Sequence, residues 1–329
     1  MANYQYAIFD PRPIPVAQAA NDKIFEGAGE VGVLGVEVTV PALAVRGTLG
    51  NIDPQHTGGD SSWAAIEVAF ECELPPHGAT LATVRADLDA VGGMAVIALR
   101  RYYHKSGSPS EHDRALCTAV LADLEPRIRL VAESDKFARG GYPGPRSLPS
   151  ADDPWPEGIA SAESSRPLAA IAAAVADFKV PIADRVAAME RWLLKGEEPA
   201  EYRSRVEAER LEMIKAIERA EITVGKVVEG LAVVVSTHRA GTSLGYCEAP
   251  VVVASNPEFR FQGGSSHLKY TVCQYEAGYV DLKSVAAELS AREPGWGGSP
   301  TIIGSPQGQG STLTIGEVTE VAKRHLIVR

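Results

Sequence analysis

No two of the four cysteines, Cys72, Cys117, Cys247 and Cys273, stand in a CxxC pair. That spacing argues against a zinc knuckle or a redox dithiol and leaves buried thiols as the default. At the amino terminus, MANYQYAIFDPRPIPVAQAAND, no basic region precedes a long apolar core. No signal peptide is therefore read, and a cytoplasmic location is expected. No apolar run reaches the roughly 20 residues needed to span a bilayer, so no membrane partner is expected. Basic charge is in deficit: 32 Lys and Arg face 42 Asp and Glu, for a formal net charge of −10. This disfavours a surface that coats long duplex nucleic acid, although a local basic cleft can still handle a short phosphorylated substrate. The chain also lacks a G-x-S-x-G nucleophile elbow, a dinucleotide fingerprint in its proper context and a complete phosphate loop.

What is present is a globular composition over 329 residues, 45% of them hydrophobic and 22% charged. Such a chain can bury a substantial core, and two domains are expected. The run VGVLGVEVTVPALAVRG at 31–47 is strand-rich, with Val36, Val38 and Val40 alternating against Glu37 and Thr39. A polar loop leads to a short amphipathic helix over about 62–70, with Ser61 or Ser62 as its cap. ATLATV reads as the next strand, 91–103 as a helix, 114–124 as another, and RIRLVAE as a short strand. The Gly- and Pro-dense ARGGYPGPRSLPSADDPWPEG reads as a lid or a surface excursion.

Residues 166–222 are mostly helical, and the pattern then changes to strands at GLAVVVST, PVVVAS and LKYTVCQY. In the last helix Thr314 and Glu317 have capping-box spacing. The expected architecture is α/β in two domains. Residues 1–165 form an amino-terminal domain with a mainly parallel sheet, 166–225 a helical connector, and 226–329 a smaller α/β domain.

Chemistry concentrates at VRADLDAVGGMAVIAL, where Asp87 and Asp89 follow the ATLATV strand. In an extended chain both carboxylates point the same way and can chelate or bridge hard divalent ions. The same residues also suit a helix start, since aspartate is a good cap. Gly92 and Gly93 leave room for a tight turn or a close ligand.

This stretch resembles the first motif of the DHH phosphoesterases, in which an aspartate-x-aspartate pair, a small residue and a glycine end the first strand. Asp87, Asp89, Ala90 and Gly92 agree with it, while Thr83 stands where that family usually has histidine. The resemblance makes Asp87 and Asp89 metal ligands and catalytic residues, and it adds Asp135 after RIRLV as a second-motif ligand; alone, Asp135 is a loop acid. The family's double-histidine motif is absent. The nearest stretch, GNIDPQHTGGDSS, offers Asp53 and His56 as ligands, with His56 also an acid or base, or an ordinary loop histidine.

The carboxyl-terminal GWGGSPTIIGSPQGQGSTL resembles the glycine loop of the substrate-binding domain that accompanies these enzymes, with Ser299 replacing the usual histidine. Gly297, Gly298 and Ser299 become substrate contacts, and Ser305, Ser311 and Thr312 donors to phosphate; a glycine-rich surface turn is the other reading. Arg85, Arg139, His238 and Arg239 complete the candidate cleft, because arginine grips phosphate with paired donors.

The resemblance implies a metal-dependent hydrolase that uses one or two Mn²⁺ or Mg²⁺ ions on a small phosphorylated molecule or short nucleotide. The alternatives are a metal hydrolase for a non-phosphate bond and a small-molecule binding protein without turnover. A homodimer is allowed.

Overall fold

A computed structural model describes residues 4–54, 63–103, 111–136, 142–156, 166–238, 241–260, 265–306 and 308–327, without the side chains of 111–118, 121, 135, 136 and 167. The architecture is α/β, with two sheet-containing regions separated by helices. The chain divides into two compact units, one comprising 1–136 and 160–206, the other 137–159 and 207–329.

The first unit begins β1 (Gln5–Ile8), α1 (Pro15–Ala28), β2 (Val33–Val36), α2 (Pro41–Ala44) and β3 (Asn51–Ile52). It continues α3 (Ala65–Glu71), β4 (Thr80–Thr83), α4 (Leu88–Tyr103), α5 (Glu111–Lys136), α6 (Arg166–Ala176), α7 (Ile182–Lys195) and the start of α8 (Ala200–Glu218). The strands form a parallel sheet in the order β1-β4-β2-β3. Every residue of β2 and β4 is buried, as expected where helices cover both faces. Leu34, Val36 and Leu81 pack toward α3, α4, α6 and α7. Val33 and Ala82 face Phe25 of α1 and Leu43 of α2. The alternation read through Val40 stops at Val36, because Glu37 turns the chain out of the strand with a φ of 54°.

RIRLVAE is helical rather than extended, for it lies within α5, which runs on through Pro126. Ile128, Val131 and Ala132 are buried there, at helical rather than alternating spacing.

The second unit takes the rest of α8, then β5 (Thr223–Val228), β6 (Leu231–Val235), α9 (Gly241–Gly245), β7 (Val251–Phe259) and β8 (His267–Gln274). It ends with α10 (Leu282–Arg292), β9 (Gly297–Gly298), β10 (Ile302–Gly304) and α11 (Ile315–Arg324). Its mixed sheet has the order β5-β6-β7-β8-β10-β9. Val285, Leu289, Val318 and Val321 pack on Val251, Val253 and Val272 to form its core. The Thr314–Glu317 capping box forms as its spacing predicts. Part of the stretch expected as a lid is fastened to this unit: Tyr142 donates its hydroxyl to the Tyr246 carbonyl at 3.0 Å, and Arg210 lies 4.1 Å from the Trp155 ring centre.

Candidate active site at the carboxyl edge of the first sheet

Parallel strands bring their carboxyl ends to one edge, where open α/β sheets usually bind ligands. Register places Ala7, Ala82, Gly35 and Asn51 in one row across the sheet. Two residues further along each strand come Phe9, Val84, Glu37 and Asp53. Glu37 and Asp53 each directly follow the Val36–Ile52 pair, and both are buried. The Glu37 amide donates to the Ile52 carbonyl at 2.8 Å. Asn51 holds the following turn, accepting from the Val38 amide at 3.2 Å and donating to the Val38 carbonyl at 3.1 Å. A left-handed glutamate fixed at a strand end is a strained conformation of the kind that clusters at functional sites. Glu37 was missed in sequence because its alternation with the valines reads as an outward strand residue; its place one step after a buried run was the available signal.

At β1, Asn21 clamps the backbone of Asp10 in both directions, at 2.9 and 2.8 Å. Hydrogen bonds from Arg12 hold the Asp10 carboxyl down at about 2. The β4 end closes differently. Thr83 is fully buried, and its hydroxyl donates to the Arg85 carbonyl at 3.0 Å while accepting from the Arg85 amide. At the position where the DHH family usually has histidine, the Thr83 side chain therefore closes a turn.

Asp87 and Asp89 do not share an extended segment; they straddle the start of α4. Asp87 caps that helix, its Oδ1 accepting from the Ala90 amide at 3.1 Å. Its Oδ2 lies 3.5 Å from the exposed Arg85 guanidinium. Asp89 is buried, and its two oxygens accept from the Ala65 and Ile66 amides of α3 at 2.7 and 2.8 Å. The cap of α3 thus comes from across the core, 24 and 23 positions away; Ser61 and Ser62 lie outside the described residues.

About three turns beyond Asp89 on α4, Arg100 donates to the Ala69 and Cys72 carbonyls, both at 2.8 Å, at the other end of α3. One helix therefore grips both ends of its neighbour, with an acid at the amide end and a base at the carbonyl end, as the helix dipole favours. Gly92 and Gly93 lie between these grips. A Cβ on Gly92 would meet Ile66 Cδ1 at 2.7 Å, and one on Gly93 would meet Val36 Cγ1 at 3.0 Å. The glycines serve close helix packing rather than a turn.

No family model matches this chain. No curated protein matches it either.

Among the described residues, no three His, Cys, Asp or Glu side chains converge as a metal site. His56, Arg139 and Arg239 lie outside the described residues. Asp135 falls in the last turn of α5 rather than at a strand end, and its side chain is also outside them.

In the second unit, the glycine stretch forms a hairpin. Gly297 and Gly298 pair with Gly304 and Ile303, and the Ser299 amide donates to the Ile302 carbonyl at 2.7 Å. The expected phosphate donors have protein partners. Ser311 donates to Glu293 at 2.8 Å, Thr312 to Glu293 through both amide and hydroxyl, and Ser305 Oγ accepts from the Tyr270 amide. Burial raises the Glu293 carboxyl, but those bonds and one from the Trp296 indole outweigh it and hold the group below the usual range. His238 lies beside a hollow of about 450 Å³ also lined by Ala208, Glu209 and Glu212. That acidic lining suits a cation better than a phosphate.

Proposed function

We propose that the carboxyl edge of the first sheet is the reaction centre of a metal-dependent phosphoesterase acting on a small phosphate ester or short nucleotide. The observation that supports it most is the burial of two carboxylates, Glu37 and Asp53, each one residue past the Val36–Ile52 pair at the edge where Asp87 heads α4. Asp53 and Asp87 would hold Mg²⁺ or Mn²⁺. The donor chemistry fits, since Mg²⁺ is commonly bound by one or two carboxylates together with water and substrate phosphate oxygens. A bound ion supplies an activated water and neutralises charge that develops on phosphate. Asp89 acts as a positioning residue, because both of its oxygens are engaged in holding α3 beside the edge. Arg85, with its side chain 84% exposed, is free to swing from Asp87 to phosphate oxygens.

The test is a screen with added Mn²⁺ or Mg²⁺ across phosphate esters, short oligonucleotides and amides. Phosphate or nucleoside monophosphate release that falls at least a hundredfold in Asp53→Asn and Asp87→Asn, with native circular dichroism, supports the proposal. Unchanged turnover and metal content in both variants would overturn it. A second reading, small-molecule binding without turnover, is favoured by the commitment of Asp89 to backbone amides; it predicts saturable binding and no product with either metal.

A further inference from the structure

Beside α3 lies a second feature. Pro54, Trp63, Val68, Glu71 and Cys72 line a hollow of about 400 Å³. That volume is in the range of small-molecule pockets, about 300–1,000 Å³. We infer that this hollow is a binding pocket for a planar, amine-bearing aromatic ring, with Trp63 as its stacking platform. The inference rests on the reading above only in making that ring part of the substrate.

Its walls decide the ligand class. Trp63 is 38% exposed, whereas Trp192 and Trp296 are buried and Trp155 lies against Arg210. An indole open to solvent at the mouth of a hollow offers a flat surface on which any heteroaromatic ring can stack. Pro54 and Val68 add apolar walls. Burial raises the Cys72 thiol, so it stays neutral near pH 7, with its hydrogen directed to the Ala69 carbonyl. Among the described lining residues Glu71 carries the charge, and a carboxylate only accepts hydrogen bonds. The pocket therefore repels a phosphate and selects a neutral ring whose exocyclic amine donates to Glu71.

Its position links the ring to the edge. Pro54 directly follows Asp53, and Trp63 directly precedes Ala64, which stands at the N-cap position of α3. The described lining thus begins one residue past Asp53 at the carboxyl edge. The α4 grip on α3 fixes the pocket wall, because Val68 and Cys72 belong to the segment held between Asp89 and Arg100.

Isothermal titration calorimetry on the full chain tests this with adenosine, inosine and ribose 5-phosphate as probes. Adenosine should bind saturably, more tightly than inosine, and without added metal. Trp63→Ala should weaken adenosine at least tenfold and leave ribose 5-phosphate unaffected. Glu71→Gln should cut the preference for adenosine over inosine at least fivefold. The absence of saturable adenosine binding, or equal affinities in wild type and Trp63→Ala, overturns the inference. Because adenosine carries no phosphate, the outcome is separable from catalysis. Loss of binding in Trp63→Ala alongside unchanged turnover in Asp53→Asn and Asp87→Asn would retain the pocket and reject the phosphoesterase.

Discussion

Two aspartates two positions apart do different work. Asp87 caps its own helix from a part-exposed position, and such a cap is worth about 1 kcal/mol. Asp89 satisfies two amides of another helix inside the core. Replacing it by alanine strands both, at a cost of about 1–3 kcal/mol for each group left unsatisfied. Urea unfolding should therefore show Asp89→Ala destabilised by about 2–6 kcal/mol, with Asp87→Ala near about 1 kcal/mol. Equal losses would show that Asp89 is not the clamp described. The sequence made the pair legible as chemistry-bearing and as capping residues alike. It could not show that Asp89 caps a helix 24 positions upstream, because that partner is fixed only by tertiary packing. Glu37 was hidden for a related reason: its left-handed backbone breaks the alternation on which strand reading depends.

The unit of design around the site is the α3–α4 pair. Seven residues make α3 too short to hold together alone, so its ends depend on Asp89 and Arg100. Residues that act on one element are not additive. Arg100→Ala should cost about 2 kcal/mol, since its bonds are charge-assisted. The double variant Asp89→Ala/Arg100→Ala should lose clearly less than the sum of the single variants, as α3 frays once either end is freed. Strict additivity in urea unfolding would show that the two grips are independent.

The glycine hairpin gives a second prediction at this scale. A Cβ on Gly298 would run into the Ile302 carbonyl oxygen. Gly298→Ala should therefore abolish hydrogen-exchange protection across residues 297–299 while changing global stability little, because β9 is an edge strand and β10 keeps its pairing with β8. Protection retained there would refute the steric argument. Elements with purely local signals, such as the Thr314 capping box and the β6 and β7 valine runs, were readable in advance. The strand expected at RIRLVAE was not, since a short apolar run fits either period and the length of α5 decides it.

Across the molecule, the two cores share no residue, and their acids are arranged differently. In the second unit, hydrogen bonds hold Asp281, Glu288 and Glu317 below their ordinary range, and Glu293 is held there against burial. A depressed carboxyl contributes stability that is present above its unfolded pKa, about 4.3 for glutamate. That contribution is lost as pH falls through the lower folded value. Exposed members of the set count for little because solvent screens them, so buried Glu293 dominates. In the first unit, Asp10 and Asp177 are depressed, but burial raises Glu190. Glu190 works in the opposite sense, favouring the folded state at low pH. Acidification from pH 6 to pH 3 should thus loosen the second unit first. Hydrogen exchange corrected for intrinsic rates should show protection falling in β8, α10 and α11 while α4 and α7 remain protected. Glu293→Gln should lower protection of residues 293–313 at pH 6 and flatten its dependence on acid, since an amide cannot accept from all of Trp296, Ser311 and Thr312. Loss of protection in both units at the same pH, or an unaltered acid profile in Glu293→Gln, would mean that the buried carboxylate does not govern the acid response.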